Sequence, residues 1–405
     1  MATEGAPGAG IIGVLGAGTM GSGIAQVAAE RGMSVLLHDP LPGATERARE
    51  RIGHFLARSV EKGKLTAAQR ESALASIVNA VSVQDLLAAG LIVEAIPEDL
   101  DLKRDVFRAL DEAAGDAEGI VLATNTSSLS IARIAAATQH PERVVGMHFF
   151  YPVPLMELVE IIAGPLTAQG AVERTVAVAE ALGKTPVVAS DTPGFIVNRV
   201  ARPFYLEALR IVGDGSASIE AVDAAMRGIG FRMGPFELVD AIGLDVNFAV
   251  SQSVHEQFFG DPRYRPHPIQ RLLVDAGRLG RKSGAGYYDY AADGTRGAAW
   301  PVVARRPDAP TQHLDEEQIA ARILATIVNE AASAVEDGVA TPEAIDVAMR
   351  LGTNYPSGPL EWGERIGLSH VVHTLEALHA LVPDGRYRVV PLLRSLADSG
   401  GSFFA

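Results

Sequence analysis

His148 and Glu160 bracket the segment HFFYPVPLMELVE, an apolar stretch with a base at one end and an acid at the other. A lone histidine near a core is more often a structural residue than a catalyst. Two features argue for chemistry here. His148 follows a strand-like run at 144–147, and Pro152 and Pro154 give the chain a place to turn, so that Glu160 returns on an adjacent strand. A carboxylate brought against an imidazole fixes its tautomer and stabilises its protonated form, which suits the ring to general-base work. No cluster of His and carboxylates has zinc-ligand spacing, so no metal is expected.

Gly16-x-Gly18-x-x-Gly21, with Thr19 and Met20 inside it, follows an apolar run at 10–15 and opens a stretch of helical composition. Such glycines allow a tight turn and the close approach of a pyrophosphate to backbone N–H groups. The pattern alone is weak, because a Gly-rich turn without ligand is spelled the same way. Asp39 adds weight. It ends a second apolar run about 23 residues after Gly16, where a carboxylate accepts hydrogen bonds from ribose hydroxyls and repels a 2′-phosphate. The expected cofactor is NAD, not NADP. Beside a nicotinamide, a base such as His148 is suited to taking the proton of an alcohol as hydride leaves the carbon.

Asn125-Thr126-Ser127-Ser128 follows another apolar run, 120–123. In a doubly wound sheet, ligands sit at the carboxyl ends of strands. These small polar side chains suit substrate binding, and they equally suit capping a helix that starts near Ser130. There is no G-x-S-x-G elbow to make Ser127 an acyl nucleophile. Residues 44–70 concentrate Arg47, Arg49, Arg51, Arg58, Lys62, Lys64 and Arg70 against only Glu46, Glu50 and Glu61. This basic excess reads either as a solvated helix face or as an anion-binding surface.

The elements that must position these residues follow from pattern. Short apolar runs at 10–15, 35–38, 91–96, 120–123 and 144–147 alternate with segments of helical period, which implies a Rossmann-like α/β domain with a doubly wound, mostly parallel sheet over residues 1–190. After Asp191 amphipathic helices follow one another, at 194–212, 218–228 and 236–259, and a first all-α domain spans 191–290. A Gly-, Pro- and Ala-rich linker is expected at 291–312. The block 313–405 repeats the first helical block: VDAAMRGIGFRMGPFELVDAIGLD (222–245) matches IDVAMRLGTNYPSGPLEWGERIGLS (345–369), and RYRPHP (263–268) echoes RYRVVP (386–391). FIVNR (195–199) pairs with TIVNE (326–330), which sets Asn329 opposite Asn198. The second copy ends at SGGSFFA, short of a full GRKSGAGYYDY.

Of the 405 residues 48% are hydrophobic and 21% charged, enough for two or three domains with sizeable cores. No apolar run is long enough to span a bilayer, so no membrane partner is expected. The formal charge of −14 argues against a nucleic-acid partner. Residues 1–9 lack the basic and apolar regions of a signal peptide and read as a tail. With no Cys, disulfide and thiol chemistry are excluded, which suits a cytoplasmic location.

In this order, GAGTMGSGIAQVAAERG, VEAIPEDLDLK, NTSSL, HFF-x-PVPLM-x-LVE and DTPGFIVNR strongly resemble the L-3-hydroxyacyl-CoA dehydrogenases, over residues 10–290, with the duplicated helical block extending the likeness to the end. The resemblance implies NAD-dependent, reversible oxidation of an (S)-3-hydroxyacyl-CoA to the 3-oxoacyl-CoA, with a short-chain acyl group or a dicarboxylic relative. It implies that His148 is the base and Glu160 its partner. Ser127 and Asn198 match the polar residues that hold the 3-hydroxyl and thioester region. Asp39, Glu98, Lys103 and Asn125 fall on the cofactor side, and Lys62 near a CoA-phosphate contact. Tyr151 replaces the family's usual Asn, and Glu157 stands where a basic or neutral residue is common; both bear on the acyl group. In relatives with one helical domain that domain makes the homodimer contact, so the second copy implies an intrachain pseudo-dimer, with dimerisation through another face left open. Two other readings remain: a dehydrogenase of acyl-carrier-protein thioesters or free hydroxy acids, and an NAD-binding protein without turnover.

Overall fold

The structure, a computed structural model, describes residues 10–301 and 313–405; the amino-terminal tail and residues 302–312 of the expected linker lie outside it. The chain divides into two compact units, one ending at Phe195 and one beginning at Ile196.

The first unit is built on eight strands: β1 (Ile11–Leu15), β2 (Ser34–His38), β3 (Ile77–Asn79), β4 (Leu91–Glu94), β5 (Val121–Thr124), β6 (Val144–Phe149), β7 (Leu158–Ala163) and β8 (Thr185–Ser190). Their order in the sheet is β3-β2-β1-β4-β5-β6-β7-β8, parallel at every pairing except the antiparallel β6–β7. The order reverses between β1 and β4, which places a topological switch point at their carboxyl ends. The inner strands read as continuous apolar runs because both faces are covered: LIVE, VLAT and VVGMHF are buried throughout. Alternate side chains feed two separate cores, Val14, Val93 and Ala123 on one side of the sheet, Leu15, Ile92 and Leu122 on the other. The helix Thr19–Glu30 follows β1 directly.

The second unit, in the described residues, is helical apart from a small hairpin. The first expected helix is interrupted: Val197–Val200 and Arg202–Gly213 are separate, and Pro203, which has no N–H for the carbonyl four residues back, opens the second. The single helix expected at 236–259 is likewise two, Pro235–Ile242 and Leu244–Gln257, broken at Gly243, whose φ of +112° no helix accommodates. Part of the expected linker is ordered. Arg296–Ala299 pairs antiparallel with Tyr288–Tyr290.

The second copy begins with the helix Glu316–Glu336, capped by Asp315 and Gln318; Ile319, Ile323 and Ile327 are among its buried residues, and the helix packs on Arg202–Gly213 of the first copy. Two equivalent polar clusters join the copies. Arg199 Nε donates to Glu330 Oε1 at 2.7 Å, and Tyr264 OH to the same oxygen at 2.5 Å. Arg322 Nε donates to Glu207 Oε1 at 2.5 Å, and Tyr387 OH to that oxygen at 2.8 Å. Each pair of counterparts differs by 123 in number (322 − 199, 330 − 207, 387 − 264), so the two copies face one another as an isologous pair. Burial opposes ionisation of Glu207, but Arg322 and Arg210 outweigh it and hold its carboxyl at about 2.

This register corrects the sequence match of FIVNR with TIVNE. By the same offset Asn198 corresponds to Ala321, and Asn329 to Leu206. Asn329 is a structural residue: its amide donates to Arg388 O and its carbonyl accepts from Val390 N, each at 3.0 Å.

Candidate active site

The carboxyl ends of β1, β4, β5 and β6 are neighbours in the sheet and carry the polar residues of the first unit. At β6 and β7 the antiparallel register sets His148 directly opposite Glu160. His148 Nδ1 and Glu160 Oε2 are 2.7 Å apart and both side chains are buried. A carboxylate only accepts, so Nδ1 carries a proton, and Nε2 is the nitrogen left to exchange one with a substrate. Phe150 and Phe195 lie against the imidazole, with ring centroids at 4.4 and 6.0 Å. The turn between the two strands is tied by Lys184, whose ammonium donates to Val153 O (2.6 Å) and Met156 O (2.7 Å); burial and the nearby Arg31 press its pKa down. Tyr151 and Glu157, in the same turn, are exposed.

At β5 the chain continues into Asn125–Ser128. Asn125 donates its N–H to Glu94 O (2.8 Å), and its side-chain oxygen accepts from Phe149 N (2.8 Å), beside His148. One oxygen of Glu98 faces Thr126 Oγ1 at 2.7 Å, Ser127 N at 2.9 Å, Ser128 N at 3.1 Å and Ser127 Oγ at 3.1 Å. Lys103, fully buried, lies 2.7 Å from Glu94 and 3.6 Å from Glu98. Burial works against ionised Glu98, but Lys103 and the Thr126 and Ser127 donors outweigh it and hold its pKa below the ordinary carboxylate range. Helix capping falls to Ser130, which accepts from Arg133 N.

The Gly-rich turn fits a dinucleotide. A Cβ on Gly21 would stand 1.8 Å from Gly16 O, and one on Gly16 2.7 Å from Ala95 O, so only glycine lets the helix start so close to the strands. At Gly18 no described residue beyond its chain neighbours comes within 4 Å of a Cβ position, which leaves open space at the amino end of the helix that Thr19 and Met20 begin. Asp39 is oriented by two amides, Ala17 N at 2.7 Å and Leu41 N at 2.9 Å. From the basic segment, Arg51 reaches this turn and donates to Ala17 O at 2.8 Å. Lys62 is exposed just past the end of helix Ala44–Glu61, and no hydrogen bond or ion pair joins it to the other candidates.

The first unit therefore assembles Gly16–Gly21, Asp39, Glu98, Lys103, Asn125, Ser127, His148 and Glu160 along one sheet edge. Asn198 belongs to the second unit, on Val197–Val200. Sequence reasoning passed over Glu94, Thr124 and Lys184. An acidic residue ending an apolar strand, as Asp39 also does, was the available signal for Glu94. Among the described residues no group of His, Cys, Asp or Glu is placed to hold a metal, and no helix is long and apolar enough to cross a membrane.

Comparison with known proteins identifies the family. Residues 11–192 match the NAD-binding domain of 3-hydroxyacyl-CoA dehydrogenase, and the C-terminal domain of that family matches twice, at 194–290 and 319–402. The 3-hydroxyadipyl-CoA dehydrogenase of Escherichia coli K12 is 40% identical over 96% of this chain and 98% of its own. A 3-hydroxybutyryl-CoA dehydrogenase of Clostridioides difficile is 43% identical over 68% of this chain and 98% of its own, so it lacks the second helical copy. The crystal structure of a 3-hydroxybutyryl-CoA dehydrogenase from Escherichia coli superposes with a TM-score of 0.88 at 38% identity, covering 96% of this chain and 99% of that one. With both of its domains matched over most of their length, the chain belongs to the 3-hydroxyacyl-CoA dehydrogenase family.

Proposed function

We propose that the chain oxidises (S)-3-hydroxyacyl-CoA thioesters to 3-oxoacyl-CoA with NAD, reversibly, and that His148 is the base. The observation that carries this is the 2.7 Å contact of His148 Nδ1 with Glu160 on the sheet edge that also bears the glycine turn. His148 Nε2 takes the proton of the 3-hydroxyl, and Glu160 balances the positive charge that then forms on the ring. Bound NAD supplies the acceptor for the hydrogen and electron pair leaving C3. Ser127 and Asn198 hold the hydroxyl and thioester oxygens, and Lys62 contributes to the CoA phosphates. Asp39 orients the adenosine ribose and, by its charge, selects NAD over NADP. Glu98, Lys103 and Asn125 line the cofactor side. Such reactants are available in the cytoplasm, where this reading places the enzyme.

The acyl group is short. A similar protein that covers 96% of this chain is named for a dicarboxylic acyl group, and a crystal structure that covers the same share is titled a 3-hydroxybutyryl-CoA dehydrogenase, which supports a dicarboxylic substrate beside 3-hydroxybutyryl-CoA. Steady-state NADH formation over a ladder of 3-hydroxyacyl-CoA substrates, one dicarboxylic, is the test. Turnover of short CoA thioesters that free CoA inhibits is expected. No turnover of any of them, or equal rates with acyl-carrier-protein thioesters, would overturn the reading.

A further inference from the structure

Glu94 ends β4 with its side chain fully buried, and three donors converge on it. Lys103 Nζ and Ile96 N each lie 2.7 Å from Oε1, and Thr124 Oγ1 lies 2.7 Å from Oε2. Thr124 is also its direct partner in the β4–β5 pairing, and its main-chain carbonyl accepts from Asn125 N. Glu94 thus grips the end of β5 by main chain and side chain together. Its ammonium partner does not stop there: Lys103 lies between Glu94 and Glu98, and Glu98 takes the amides of Ser127 and Ser128.

A buried ion pair is a poor device for stability alone, since an apolar pair of similar volume often does as well. Two carboxylates around one buried ammonium make poorer sense still unless the second has work at the surface. Glu98 has that position, with its side chain 36% exposed and its oxygen at the turn that carries Ser127. Burial pushes the Glu94 carboxyl up, against the pull of Lys103; yet it faces three donors and no acceptor, the surroundings of an acceptor-only group.

We propose that Glu94 is a positioning residue of the dehydrogenase reaction: it fixes Lys103 against Glu98 and thereby holds the Ser127–Ser128 turn in place at the site. This rests on the function proposed above. Glu94 touches neither Ser127 nor His148, so any influence on turnover passes through Lys103, Glu98 and the end of β5. Glu94→Gln keeps the shape and removes the charge, and Thr124 can turn its hydroxyl to accept from the new amide.

Three measurements test this. In the apoprotein, amide hydrogen exchange of Glu94→Gln should quicken at 125–129 while β7 stays protected; unchanged exchange at 125–129 overturns the proposal. With 3-hydroxybutyryl-CoA, kcat/KM should fall about 10²-fold, the scale of a small misplacement. In a Ser127→Ala background the same substitution should cost about tenfold or less; losses that add within about twofold overturn it. The third replaces the pair by Glu94→Met with Lys103→Met, which covers the chance that Glu94→Gln alone does not fold. Because Lys103 also faces Glu98 on the cofactor side, exchange and not activity is the readout for this variant. A purely structural pair would leave exchange at 125–129 intact, whereas the positioning role predicts a folded protein with a fast-exchanging turn. If the unaltered enzyme turns over no 3-hydroxyacyl-CoA, the reading of the site fails, and the exchange results alone decide whether Glu94 holds the turn.

Discussion

Single side chains separate binding from chemistry at this site. His148→Gln should cost on the order of 10²–10⁴-fold in kcat, the usual worth of a positioned base, and leave NADH affinity unchanged in a fluorescence titration. Glu160→Gln should lower kcat in the same direction, because its amide no longer balances the charge gained by the ring. An unchanged rate in either variant removes the pair from the mechanism. Asp39→Ser should raise NADP turnover relative to NAD, since the charge that repels a 2′-phosphate goes while a hydroxyl remains for Ala17 N. Equal use of the two cofactors by the unaltered enzyme would contradict the role given to Asp39. The placement of these residues was legible because type and spacing announce it: a histidine after a strand, a carboxylate after a proline turn, glycines before a helix. Glu94 offered only a partial signal, an acidic residue ending an apolar strand, because its partner is a lysine nine residues on that the fold, not the spacing, brings to 2.7 Å.

At the level of elements, the sheet was readable where strands are buried on both faces. β3 and β8 escaped notice for physical reasons: β3 has three residues, two of them exposed, and β8 (TPVVAS) is only half covered and begins with Thr-Pro. The helix from 236 to 259 looked continuous because periodicity survives a glycine, whereas the backbone at Gly243 does not. The match of Asn329 to Asn198 failed for another reason. Three identical letters, IVN, outweighed the constant spacing of 123 that the paired arginines and glutamates enforce. The turn between β6 and β7 gives a prediction at this scale. Lys184→Met removes both ties to Val153 and Met156 but leaves the strand pairing that holds His148 opposite Glu160. Exchange at 151–157 should quicken, and KM for the acyl-CoA should rise more than kcat falls. Unaltered exchange in that turn would show that the ammonium does not hold it.

For the molecule as a whole, the two helical copies are the feature most open to test. Glu207 is held ionised at about 2 against 4.5 for an ordinary glutamate. A folded-state pKa below the unfolded one means stability that is full above about 4.5 and is lost as pH falls toward 2. The urea midpoint should therefore drop across that window, and less steeply in Glu207→Gln, which should itself cost about 3–5 kcal/mol as a broken buried pair. Ending the chain at about residue 312 uncovers Arg199 and the apolar face against which Glu316–Glu336 packs. Because Arg199 and Glu207 both remain, two truncated chains can rebuild both ion pairs across a two-fold axis. Light scattering should show a dimer or aggregate, and the dimer should fail with Glu207→Gln. A soluble, fully active truncated monomer would show that the copies do not need each other.

The pairing of the two copies within one polypeptide has a consequence for dilution. An association between separate chains obeys mass action, so its melting temperature falls as protein is diluted. Here the facing surface is tethered, and its effective concentration is set by the linker and not by the solution. The unfolding midpoint of this chain should be the same at nanomolar and micromolar protein, and the helical pair should persist at scarce expression levels where a two-chain equivalent would come apart.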